Sequence, residues 1–87
     1  MANTRWVYAS GSHWVNFDRS TSQAIEKLFY VGAAGWVYVR AFGGQVYVNA
    51  PACYVCATNG YRFTIARIIE WKDSDNLEGY LWILASL

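Results

Sequence analysis

Cys53 and Cys56 stand in a CxxC spacing, and together with His13 they are the residues best able to hold a metal or exchange electrons. A structural zinc site needs four such ligands, and a redox dithiol sits at a helix N-terminus. The surrounding sequence offers neither. Both cysteines are therefore read as buried structural thiols, pointing to opposite faces of a strand. Catalytic constellations are also unfilled, with no Ser/His/Asp grouping in register, no glycine loop for phosphates and no clustered carboxylates. The chain is not expected to be an enzyme, nor to carry a cofactor or a metal. His13, beside Trp14 in a turn, is read as a solvent-facing residue or a donor at the rim of a ligand. What remains is the chemistry of recognition, because five Trp, seven Tyr and four Phe supply ring faces in a chain of only 87 residues.

Those side chains must be positioned by a small set of elements. Ser20, with Gln23 three residues on, predicts a helix N-cap, so the helix begins near Thr21. Ala24, Ile25, Leu28 and Phe29 draw one apolar stripe along it, with Arg19, Gln23, Glu26 and Lys27 mostly outside. Gly32 supplies the stop. Elsewhere the pattern has period two and predicts strands over 4–10, 13–18, 35–41, 45–50, 52–57 and 61–71. Gly11-Ser12, Gly43-Gly44 and Asn59-Gly60 are the turns of antiparallel pairs. In the hairpin around Gly43, Val37, Val39, Val46 and Val48 make an aliphatic face, whereas Trp36, Tyr38 and Tyr47 make an aromatic one. Pro51 marks a kink or an edge. The tail from Ser74 predicts a helix capped by Asp75 and Glu78, with a strand over Tyr80–Leu84 as the alternative. The expected fold is α+β: a strongly curved, mostly antiparallel sheet of about six strands, a half-barrel packed on one α-helix. Residues 1–73 form the domain and 74–87 an extension packed on it.

The net charge is +1, but it is unevenly spread. Residues 1–69 hold Arg5, Arg19, Lys27, Arg40, Arg62 and Arg67 against Asp18 and Glu26, whereas residues 70–87 hold Lys72 against Glu70, Asp73, Asp75 and Glu78. A basic body of this size suits a compact anion better than a nucleic-acid duplex, which would call for more Lys and Arg. The N-terminal MANTRWVY lacks the apolar run of a signal peptide, and LWILA is too short to cross a bilayer. An intracellular location, cytoplasmic or nuclear and away from membranes, is expected. Trp6, Trp14 and Trp36 are expected in the core, Trp6 above all.

The chain resembles the WWE domain, a half-barrel cradling one helix that recognises the iso-ADP-ribose unit of poly(ADP-ribose). The resemblance spans about residues 5–69. It rests on Trp6, on Trp14 with Phe17 three residues later, and on the Ser/Thr-rich helix start leading to Ile25-Glu26. Val46-Tyr47-Val48 and the run Gly60, Arg62, Ile65, Arg67 complete it. It implies a site in which Tyr8, Trp14 and Tyr47 flank the ligand while Arg62, with Arg67 second, grips a phosphate. Such roles are physically sound, since purine faces stack on rings and a guanidinium fork matches phosphate oxygens. Two positions depart from the family pattern. Cys56, which the resemblance also places at the ligand site, stands where the family has a ligand-pairing Gln, and Phe63 falls where its phosphate-gripping Arg would stand.

The expected function is thus a non-enzymatic module that binds ADP-ribose units, a related nucleotide anion or an ADP-ribosylated protein. The alternative is a structural or protein-interaction domain of WWE-like fold that has lost the ligand. On that alternative an exposed apolar patch of Tyr80, Trp82 and Leu84 mediates self-association or the binding of a partner protein. The acidic tail folding over the basic site is a further expectation.

Overall fold

Asp18, not Ser20, starts the helix. In the computed structural model, which describes residues 2–72 and 80–85 with side chains over 3–70, α1 runs Arg19–Val31. The Asp18 carboxylate accepts the Thr21 backbone N–H at 3.3 Å, the Thr21 hydroxyl at 2.5 Å and the Ser20 hydroxyl at 2.6 Å. Ser20 is therefore a donor to the cap and Asp18 is the cap, because only a carboxylate can accept from all three groups at once. These bonds hold the Asp18 carboxyl down at about 2, from the usual 3.8. The other end is as expected: Gly32 takes φ 65, and the N–H of Ala33 reaches back to Leu28 O at 2.9 Å.

The strands are β1 (Ala2–Ser10), β2 (His13–Asn16), β3 (Ala34–Val39), β4 (Gly44–Asn49), β5 (Tyr54–Cys56), β6 (Arg62–Lys72) and β7 (Tyr80–Ala85). They form one seven-stranded sheet in the order β2-β1-β6-β5-β4-β3, with β7 also on β6, and every pairing is antiparallel. β6 joins the two halves: Arg62–Thr64 pair with β5, whereas residues from Ile65 onward pair with β1. The fold class is thus α+β, with one helix on an antiparallel sheet.

Two predicted strands and the predicted C-terminal helix are revised. β3 ends at Val39, because Arg40–Phe42 wind into a 3-10 turn closed by Gly43 at φ 72. The predicted strand 52–57 shrinks to three residues. Asn49 Oδ1 accepts the Ala52 N–H at 3.1 Å and Ala50 O accepts the Cys53 N–H at 3.1 Å, which folds the Pro51 segment into a turn. Cys53 therefore sits at φ 60 in that turn rather than opposite Cys56 along a strand. The predicted C-terminal helix is replaced over residues 80–85 by β7, which pairs Leu84 with Ile68 and Tyr80 with Lys72. The long edge of β6 beyond Thr64 offers a backbone ladder that an isolated helix could not use. Residues 73–79, including Asp75 and Glu78, lie outside the described residues.

The core forms between α1 and the aliphatic face of the sheet. Trp6, Ile25, Val39, Val48, Val55 and Ile65 are fully buried, with Leu28, Phe29, Val37 and Phe63 packed around them. Gly35 lies directly beneath Leu28, whose Cδ2 would be 3.5 Å from an added Cβ. The register Gly35↔Val48↔Val55↔Phe63 therefore marks the helix-facing row. Among the described residues, no helix is long and apolar enough to cross a membrane.

Candidate recognition face and cleft

The next row along the strands faces away from the helix, by strict alternation. It reads Trp36↔Tyr47↔Cys56↔Arg62 across β3, β4, β5 and β6. Three predicted site residues, Tyr47, Cys56 and Arg62, are thus direct cross-strand neighbours. The Trp36 ring meets the Tyr47 ring edge-on, with centroids 5.6 Å apart. The Arg62 guanidinium lies 4.6 Å over the ring of Tyr54. Trp36 and Tyr38 are each 61% exposed, so the expectation that Trp36 is a core residue is corrected. Trp14 is corrected likewise, being half-exposed on β2, whereas Trp6 is wholly buried. His13 opens β2 opposite Ser10 and is solvent-facing.

Tyr8 is elsewhere. It pairs with Ile65 on the helix-facing side and is buried against Phe17, Phe42 and Phe63, with ring centroids at 4.9, 5.0 and 6.1 Å. Phe42 and Phe63 stack on one another at 5.0 Å. The protein's own phenyl rings therefore occupy the space beside Tyr8, and Tyr8 shares no concavity with Tyr47. Sequence spacing missed Phe42, whose position depends on the 3-10 turn after β3.

Arg67 is also committed internally. It pairs with Glu26, with Nη2 2.7 Å from Oε2, and its guanidinium lies 5.0 Å over Phe29. Glu26 in turn accepts the Trp6 indole N–H at 2.8 Å. Burial raises the Glu26 carboxyl, but hydrogen bonds from Arg67 and Trp6 outweigh it, and the net shift is downward from 4.5. The same bond to Glu26 raises the Arg67 guanidinium.

The cysteines are not disulfide-bonded: Cys53 is buried, and the half-buried Cys56 donates its thiol to Ala57 O at 3.6 Å. Among the described residues, no cluster of metal-ligating side chains occurs.

Two concavities among the described residues bear on the site. The smaller, about 260 Å³, is lined by Phe42, Ala57, Asn59, Tyr61 and Phe63. The larger, about 620 Å³, runs between α1 and strands β1 and β2, and contains none of the predicted site residues. No protein-family model, curated protein or solved structure matches the chain.

Proposed function

We propose that the protein is a non-enzymatic interaction domain that pairs with a second copy of itself through the outer face carrying Trp36, Tyr38, Tyr47, Tyr54 and Arg62. The observation that carries this reading is the exposure of Trp36 and Tyr38, 61% each, beside two further rings on one continuous sheet surface. Trp, Tyr and Arg are the residue types that dominate interface energetics, and the Trp and Tyr rings bury a large area at little entropic cost. A two-fold contact sets the same patch against itself. A ring face with Arg62 at its margin tolerates that arrangement, whereas a strongly charged face would repel its copy.

In this reading the sheet bends as a WWE-like half-barrel around α1, and the ligand region near Tyr8 has become core. Sedimentation equilibrium over a wide concentration range tests it. The native chain is expected to associate, and Trp36→Ser with Tyr38→Ser to remain monomeric while keeping the native circular dichroism. A native chain that stays monomeric throughout sinks the proposal.

The adjacency of Tyr47, Cys56 and Arg62 favours one second reading, recognition of an ADP-ribose unit on the same face. Three inter-strand spacings put Trp36 and Arg62 roughly 14 Å apart, a span suited to a ring at one end and a phosphate at the other. Titration with iso-ADP-ribose would then shift the Trp36 indole resonance. An unmoved indole at millimolar ligand discards this second reading.

A further inference from the structure

The cleft of about 620 Å³ between α1 and strands β1–β2 falls within the size range of small-molecule sites. Its helix wall is the ridge Arg19, Gln23, Lys27, spaced four residues apart, so the backbone positions of its two basic residues lie roughly 12 Å apart along the axis. Thr4 and Arg5 of β1 form the opposite wall, and the 76% exposed ring of Tyr30 stands at the C-terminal end. Glu26 itself lines the cleft and Asp18 adjoins it, but both carboxylates are already engaged. Glu26 is held by Arg67 and Trp6, and Asp18 by the hydroxyls of Ser20 and Thr21. Among the described residues, neither Arg19 nor Lys27 has an ion-pair partner.

We infer that this cleft binds a linear run of phosphate groups, as found in inorganic tripolyphosphate or in a nucleoside triphosphate. A single phosphate or carboxylate reaches one end of the ridge. A chain of phosphates carries charge at each unit, so it meets the Arg19 guanidinium and the Lys27 ammonium together, with the Gln23 amide between them as a donor. Arg19 also opens the helix, where the macrodipole adds positive potential. A ring attached to the chain has Tyr30 to lie against. The site is on the helix side of the sheet and is independent of pairing through the outer face.

Amide chemical-shift titrations of the full chain with tripolyphosphate, ATP and adenosine test the inference. Tripolyphosphate and ATP are expected to move the resonances of Arg19 to Lys27 and of Thr4 and Arg5, and adenosine to leave them in place. Tighter binding of ATP than of tripolyphosphate identifies a nucleotide as the source, and equal binding identifies the phosphate chain alone. Arg19→Gln with Lys27→Gln, both exposed positions, should weaken binding about tenfold or more. Shifts absent at millimolar ligand, shifts centred on Trp36 and Tyr47, or unchanged affinity in the double variant would each overturn the inference. Because the outer face is read by sedimentation and the cleft by titration, either proposal can fail alone.

Discussion

Glu26 and Arg67, 41 residues apart, are joined by a two-pronged ion pair in which Arg67 Nε donates to Oε1 at 3.0 Å and Nη2 to Oε2 at 2.7 Å. The same carboxylate holds the Trp6 indole, so one helix residue ties α1 to both β1 and β6. Replacing Glu26 by Gln leaves Arg67 half-buried without its counter-charge. A loss of about 1–3 kcal/mol in stability is expected, read from urea unfolding. Native stability in the variant would refute this role.

The pH dependence follows from the two lowered carboxyls. Glu26 lies below its ordinary 4.5, and Asp18 is at about 2 rather than 3.8. A carboxyl depressed in the folded state contributes stability above its unfolded value and loses it as pH falls through the folded value. The urea midpoint should hold steady above roughly pH 5 and decline toward pH 2. That decline should be visibly shallower in the combined Asp18→Asn, Glu26→Gln variant, and an identical slope would contradict the assignment.

Asp18 caps α1 and Ser20 only donates to it. Asp18→Ala is expected to cost about 1 kcal/mol, equivalent to a fall in Tm of roughly 4–8 °C for a domain of this size. Ser20→Ala should cost less than half as much, since the carboxylate retains Thr21. Thermal unfolding of both variants checks the order, and a larger loss at Ser20 would restore it as the cap.

Tyr8 and Tyr47 belong to different environments despite their similar prospects in the sequence. Tyr8→Ala opens a cavity among Phe17, Phe42 and Phe63, with an expected cost of roughly 3–5 kcal/mol. Tyr47→Ala removes the ring partner of Trp36 on the outer face, for roughly 0.5–1.5 kcal/mol, and should act mainly on association. Equal destabilisation by the two would show that Tyr47 is also core.

Thiol labelling distinguishes the cysteines. Cys56 is half-buried on the outer face, whereas Cys53 is only 6% exposed within the turn after Pro51. A bulky thiol reagent should modify Cys56 first and reach Cys53 at the rate of unfolding. Simultaneous modification would place Cys53 at the surface.

Period and punctuation were enough to find α1, its Gly32 stop and six strands, because these features are local. The alternation of Val46 and Val48 with Tyr47 also separates the two faces of the sheet before any tertiary contact is known. Three things were not read from that pattern, the last two because they depend on long-range geometry. Asp18 won the cap because a carboxylate accepts several donors at once, and the window around Ser20 offered an equally regular pattern. The C-terminal segment became β7 because β6 extends beyond its pairing with β5, and no local pattern reports an open ladder. Which face met α1 was likewise decided by packing, so Tyr8 went under Phe42 and Phe63 while Tyr47 stayed half-buried on the outer face. The cleft beside Arg19 and Lys27 exists only once the helix is laid across β1. Sequence determines local period and hydrogen-bonding capacity, whereas burial and convergence arise from elements that meet across dozens of residues.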